Sequence, residues 1–344
     1  MIVVFAIIVQ IVNPVFLTFD NVIEILRGAA FVFIVAAAAT YVLIGGGLDL
    51  SVGSVFAAGG LTAAFALNHG ASGPVALLAG VVTGTVIGSI NGLVIVGFKI
   101  PPLIVTLGMI YIARGVIQVL TSGVLVPITN STYIWIGEGV IGGVPLVILY
   151  SAAIGVLSFA VLEHTRFGYL VRAVGGNANA ARAVGINVDL VRLALYIISG
   201  SAAALAGTLT AARLSSGDPN IAVGYEITVL SAVIIGGTSL FGGVGGIPGT
   251  ALGALMLSIL TNGLIVMRID PLWQNVAIGV VIVTAVGVDQ WRRRQQLNRF
   301  LDASTDEPGG FEAVEDSSGS GAPPANEDVV QSVTTNSSIR ESPA

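Results

Sequence analysis

Asp49 and Ser51 stand two residues apart inside a glycine-rich run, IGGGLDLSVGS at 44–54, at the start of an apolar stretch. A carboxylate and a hydroxyl in that position have two compatible uses. Their oxygens can cap the free N–H groups of a helix, or they can belong to a pathway or gate. Arg114 lies inside the apolar stretch 103–120. A cation there either faces a bundle interior and pairs with something polar, or sits near the membrane interface and snorkels. Asn91, Thr106, Asn262, Gln274 and Asn275 are neutral hydrogen-bonding groups within or beside apolar stretches. They suit an uncharged polyhydroxylated solute and equally serve as glue between helices. These eight residues are the candidates for a translocation pathway or gate.

Covalent and metal chemistry find little to work with. The chain has no cysteine, and its two histidines, His69 and His164, lie far apart, so no metal site is expected. No segment has the phosphate-loop pattern G-x-x-x-x-G-K-[ST], and the sole lysine is Lys99 in GFKIPP. The chain is therefore not expected to hydrolyse ATP, and it needs no cofactor of its own. Glu163, Asp189, Asp218, Glu226, Asp270 and Asp289 fall near the ends of apolar stretches. A mid-membrane acid of the kind that drives proton coupling is missing from that set. An enzyme embedded in the membrane is the least supported reading.

The elements that must position these groups follow from composition. Of 344 residues, 54% are hydrophobic, 10% are charged and 45 are glycine, with a mean hydropathy of +0.93. A soluble domain would carry about 25% charge. The fold class is an all-α polytopic membrane protein. Spans of hydrocarbon-crossing length are expected near 1–12 (short), 24–44, 51–68, 75–97, 103–120, 144–162, 190–212, 225–241, 247–267 and 272–290. The basic clusters at Arg292, Arg293, Arg294 and Arg299, at Lys99 and within 163–192 all fall on the cytoplasmic side if ten spans leave both termini inside. NGLVIVGFKIPP (91–102) and NGLIVMRIDPLW (262–273) are similar and five spans apart, which would make them an inverted repeat. Chance likeness among Val/Ile/Leu/Gly-rich spans is the alternative. A second glycine-rich break, IIGGTSLFGGVGGIPGT, covers 234–250. Irregular backbone at membrane depth survives where it is buried in protein or lines a cavity; ordinary loops with small residues would also explain the glycines. Residues 301–344 hold nine acids against the single base Arg340 and have few large apolar side chains, so disorder is expected there.

The polar segment 163–192, EHTRFGYLVRAVGGNANAARAVGINVDLVR, contains Arg166, Arg172, Arg182 and Arg192. Ala173, Ala180, Ala181 and Val184 recur at roughly helical spacing, which predicts a short amphipathic helix at the cytoplasmic surface. It would either dock on a partner or merely fix topology.

Five stretches, GGGLDLSVGS, IPPLIVTLGMIYIARGV, HTRFGYLVRAVGGNANAARAVGINV, ARLSSGDPNIAVGYE and VIIGGTSLFGGVGGIPGTALGA, resemble the permease subunit of the ribose-type ABC sugar importers, in order over about residues 10–294. The resemblance implies a prokaryotic cytoplasmic-membrane subunit that forms a channel with a second permease copy, as homodimer or related heterodimer. Two cytoplasmic ATPase subunits would bind ATP and Mg, and an external binding protein would deliver a monosaccharide such as ribose, xylose or galactose. Lipid surrounds such a subunit, and no nucleic acid is involved. The resemblance places ATPase coupling on Arg172, Gly175, Gly176, Asn177, Ala180, Ala181, Arg182 and Gly185. It departs at both ends, since the family's charged N-terminal segment is absent and the acidic tail is additional. The expected organisation is a permease domain at 1–294, with 163–192 as its coupling loop, and a tail at 295–344. A permease for branched-chain amino acids or another small polar solute, and an ATPase-independent facilitator, are the alternatives.

Overall fold

A computed structural model describes residues 2–270 and, beyond them, only positions 273, 276, 279, 280, 284 and 287. The expected span 272–290, Gln274, Asn275, the basic cluster 292–299 and the acidic tail fall outside the described residues, wholly or nearly so.

Among the described residues the helices are α1 (Ile2–Val12), α2 (Phe19–Ile44), α3 (Val52–Asn68), α4 (Gly73–Phe98), α5 (Pro102–Thr121), α6 (Ser131–Glu138), α7 (Leu146–His164), α8 (Arg166–Gly176), α9 (Ala178–Ala183), α10 (Val188–Arg213), α11 (Tyr225–Ile235) and α12 (Ile247–Val266). Six of them, α2, α4, α5, α7, α10 and α12, are long and apolar enough to cross a membrane, and α3 and α11 are shorter apolar helices. The molecule is a polytopic helical membrane protein.

Proline and glycine set many of the helix ends. Pro102 opens α5, and Pro74 and Pro248 lie in the first turns of α4 and α12, where a missing N–H costs nothing. Several ends differ from the expected spans. α2 begins at Phe19 because its polar first turn, with Asp20, suits a helix N-terminus even though it lowers hydropathy. α11 stops at Ile235, not at 241, where Gly236 and the left-handed Gly237 (φ +85°) end it. The single amphipathic helix expected in 163–192 is two helices, α8 and α9. They are divided at Asn177, whose extended backbone (φ −158°) breaks the run and whose side chain caps α9. The polar segment 121–143 contains the short helix α6.

Small residues decide which helices meet. Gly80, Gly84, Gly88 and Gly92 form one face of α4, and α10 answers with Gly200 and Ala204. A β-carbon at Gly84 or Gly88 would overlap the carbonyl oxygen of Gly200 or Tyr196 respectively. α3 joins the same seam, with Gly59 against Ala204 and Phe56 against Gly207. Such backbone-to-backbone approach is how helices associate where burial of apolar surface gives no preference over lipid. Thr85 and Ser201 share a hydrogen bond (2.8 Å) across it. On the other side of the bundle, α2 holds α12 through a Thr40–Thr250 hydroxyl pair (2.7 Å) and Ser258 Oγ donating to Ile25 O (2.6 Å).

The connections separate into two ends. At one, Gly46 meets Gly175, and Lys99 and Arg182 line a common cavity. At the other, β1 (Val126–Pro127) pairs antiparallel with β4 (Ser216–Gly217), and Asn68 Nδ2 donates to Pro127 O (3.3 Å). The strands β2 (Val140–Ile141) and β3 (Val144–Pro145) form a small hairpin between α6 and α7.

Candidate functional site

Asp49 lies in the break between α2 and α3 and is almost wholly buried, 4% exposed. Its Oδ1 accepts from Ser51 N (3.0 Å) and Ser51 Oγ (2.6 Å), and its Oδ2 accepts from Ser199 Oγ on α10 (2.7 Å). Asn91 Nδ2 on α4 donates to Ser51 Oγ (2.9 Å). Neutral donors thus hold a carboxylate that has no cation within ion-pair distance among the described residues. The capping role falls on Asp49, whose Oδ1 takes the free Ser51 N–H ahead of α3. Ser51 occupies the N-cap position of α3 but makes no side-chain cap bond; its hydroxyl donates to Asp49 and accepts from Asn91. The Asn91 Oδ1 is buried without a partner, leaving the cluster one acceptor in excess.

A second junction lies beside this cluster and ties the two glycine-rich breaks together. Gly243 N donates to Ile44 O (2.8 Å), so the loop after α11 is bonded to the last residue of α2. Gly175 of α8 is inserted where they meet. A β-carbon on it would overlap the Ile44 carbonyl oxygen and come within 2.8 Å of Gly243 N. Only glycine permits that approach of three backbones. Arg172, one turn earlier on α8, donates to Gly245 O (3.1 Å) and forms an ion pair with Glu163 at the end of α7. α8 therefore touches both irregular segments with no flexible side chain between.

The eight coupling candidates divide by orientation. Gly175 and Ala181 face inward, and Ala181 is buried. Gly176, Asn177, Ala180, Arg182 and Gly185 are exposed. Asn177 Oδ1 accepts from Asn179 N and Ala180 N, both at 3.0 Å, and Arg182 pairs with Asp189 at 2.9 Å.

The pathway candidates do not form one group. Asp49, Ser51 and Asn91 come together. Arg114 takes the interior option, donating from Nη1 to Pro219 O (2.8 Å) and Ile221 O (2.7 Å). Those carbonyls belong to the segment 214–224, which enters the bundle. Gly217 packs on Leu61 and Ala64 of α3, whereas Ala222 and Glu226 reach Gly53 in its first turn. Glu226 is thus placed beside the buried start of α3, not at an outer span end. Thr106 is buried, but its hydroxyl donates to Pro102 O (2.9 Å) within its own helix. Asn262 exchanges two hydrogen bonds with Asn21 (2.9 and 3.0 Å), which makes it α2–α12 glue.

Sequence reasoning missed Ser199, Glu163 and the backbone of Gly243 and Gly245. Nothing marks Ser199 among the other small hydroxyls of α10. Glu163, by contrast, lies nine residues before Arg172 in the same polar segment, a signal that was available. Among the described residues no cluster of three or more His, Cys, Asp or Glu side chains is placed to hold a metal ion.

Residues 21–286 match the family model described as branched-chain amino acid transport system / permease component. The chain is 37% identical over 286 residues to the ribose import permease protein RbsC of Escherichia coli strain K12, covering 82% of this chain and 89% of the relative. It is 36% identical over 288 residues to RbsC of Bacillus subtilis strain 168, covering 83% and 89%. To the L-arabinose transport system permease protein AraH of E. coli K12 it is 34% identical over 297 residues, covering 86% and 90%. No solved structure matches it significantly. With a family match across most of its length and relatives identical at more than a third of positions, this chain, built around a wedged α8 and two glycine-rich breaks, belongs to the ABC-importer permeases, membrane subunits that are not themselves enzymes.

Proposed function

We propose that the chain, paired with a second permease copy, forms the translocation pathway for a monosaccharide of the ribose, xylose or galactose kind. An external binding protein delivers the sugar, and separate cytoplasmic ATPase subunits, which hold ATP and Mg, supply the energy. The observation that carries this reading is the contact of α8 with both glycine-rich breaks. A partner pushing on the exposed face of Gly176, Asn177, Ala180, Arg182 and Gly185 moves α8. Gly175 and Arg172 pass that displacement to the α2–α3 break and the 237–246 loop. Asp49, Ser51 and Asn91 lie directly behind it as the polar part of the gate, while Arg114 fixes the segment 214–224 on the far side. The ribose and arabinose names of the relatives support a sugar as solute. The family description favours a branched-chain amino acid instead. Uptake of labelled ribose, arabinose and leucine by cells expressing the complete importer separates the two, and leucine uptake alone overturns the sugar reading.

In the same proposal ten spans place both termini and the α8–α9 end in the cytoplasm. An inverted repeat relates α2, α3 and α4 to α10, α11 and α12. Its support is a packing pattern that survives exchange of the two sets. α3 packs on α10 as α11 packs on α2, α4 on α10 as α12 on α2, and α3 on α4 as α11 on α12.

Gly176→Glu tests docking without disturbing the fold, since a β-carbon there meets nothing within 4 Å. The variant is expected to stay at normal membrane abundance and lose ATPase co-purification and uptake together. Ala181→Asp would bury a charge instead and cannot separate docking from folding. Asp49→Asn exchanges charge-assisted bonds for neutral ones, about 1 kcal/mol of stability, which a large bundle absorbs. Its uptake is expected to fall about tenfold, the effect of 1.4 kcal/mol on a barrier; uptake near the parent's would make Asp49 purely structural. Truncation after Leu301 is expected to leave uptake and ATPase co-purification unchanged at low and high ionic strength.

A further inference from the structure

A cavity of about 510 Å³ opens between the α4–α5 turn, α9 and the start of α10. Lys99, Arg182 and Arg192 line it against the single carboxylate Asp189. Arg182 is already paired with Asp189 (2.9 Å), whereas Lys99 and Arg192 make no ion pair among the described residues. The remaining walls include Ile95 and Ile100. Leu93, Phe98, Leu103 and Ile104, on the two helices that flank the turn, are exposed. The cavity thus combines excess positive charge with exposed apolar side chains on the two helices that flank it. We propose that it seats the headgroup of an anionic phospholipid, the phosphodiester between Lys99 and Arg192 and the acyl chains along α4 and α5.

The chemistry favours that occupant over other anions. A phosphodiester keeps its charge at neutral pH, and guanidinium and ammonium groups are its ordinary partners. Basic pockets between membrane helices at the interface take such headgroups. Free phosphate would leave the exposed leucine, isoleucine and phenylalanine side chains unused, and a soluble protein's carboxylate would meet them at the lip of the cavity. Lys99 adds a further point. It holds a left-handed backbone (φ +56°), which glycine adopts freely and other side chains rarely do. The fold therefore gains nothing from a lysine there, and its charge is the feature left to explain.

The test uses the full chain purified in a neutral detergent, with bound lipid counted by native mass spectrometry and the unfolding midpoint read by tryptophan fluorescence. Added phosphatidylglycerol is expected to be retained and to raise the midpoint, while phosphatidylcholine and inorganic phosphate do neither. Lys99→Gly, which suits the backbone, combined with Arg192→Gln is expected to cut phosphatidylglycerol retention about tenfold or more. Arg166→Gln, an exposed arginine of α8 outside the cavity, is expected to leave retention unchanged. Equal retention by the double variant and the parent overturns the proposal, as does an equal midpoint shift with inorganic phosphate. If the parent retains lipid only after residues 302–344 are removed, the acidic tail is the occupant and the lipid assignment falls. Loss of bound lipid on adding the ATPase subunit assigns the cavity to that partner instead.

Discussion

Gly175→Val is expected to cut uptake about 5–150-fold while leaving the permease in the membrane with its ATPase attached, whereas Gly176→Val, one residue on in the exposed docking face, is expected to weaken ATPase co-purification and leave the Ile44 junction intact. The two positions are neighbours in sequence and opposites in space. At Gly175 any β-carbon meets the Ile44 carbonyl, whereas at Gly176 it meets nothing within 4 Å. Forcing extra methylene-sized volume into a packed site costs about 1–3 kcal/mol. Placed on a moving junction, that range corresponds to about 5–150-fold in rate. The junction is also held by the Gly243–Ile44 bond and the Arg172–Gly245 bond, so displacing α8 loosens both breaks at once. Sugar uptake by membrane vesicles, normalised to permease abundance on an immunoblot, measures the effect. Gly175→Val uptake at half the parent's or better would mean that α8 does not act through this contact.

The second large effect is expected from Gly84→Leu or Gly88→Leu. Here the new side chain would overlap the Gly200 or Tyr196 carbonyl along the middle of the α4–α10 seam. The helices can accommodate it only by separating, which also opens the Thr85–Ser201 bond. Without a hydrophobic preference over lipid to draw them back together, little remains to restore the pair. The yield of monodisperse permease in size-exclusion chromatography is expected to fall below detection. Gly108→Leu on α5, where a β-carbon meets nothing within 4 Å, is the matched control and should leave the yield unchanged. A normal yield for Gly84→Leu would show that the seam tolerates distance.

Much of this architecture is legible from residue order because membrane helices announce themselves by length and by their glycine and proline boundaries. The breaks at 44–54 and 234–250, the polar segment 163–192 and the gate candidates Asp49, Ser51 and Asn91 are all visible that way. What escapes is orientation and depth. Gly175 and Gly176 look alike in sequence, and only the Ile44 carbonyl and the Gly243 loop packed on Gly175 tell inside from outside. Hydropathy continues through Gly236 to Phe241, so it cannot show that α11 ends at Ile235. Asp218 and Glu226 flank an apolar stretch and look like surface charges, yet the segment between them runs inward along α3. Asn262 and Asn91 share an Asn-Gly context but have different partners, Asn21 and Ser51, which lie far away in the chain.

The glycine seam also sets the order in which the protein must be built. Thr85 and Ser201, bonded across it, are 116 residues apart in the chain. At a synthesis rate of about 5–20 residues per second, α4 therefore waits about 6–23 s for the helix that covers its glycine face. During that interval α3 and α4 are in the membrane with their closest-packing surfaces open to any other small-residue helix nearby. Biogenesis of this permease is thus a race between completion of α10 and misassembly or proteolysis of the waiting helices. Slower translation between codons 92 and 193 would lower the amount of folded transporter without changing a single amino acid.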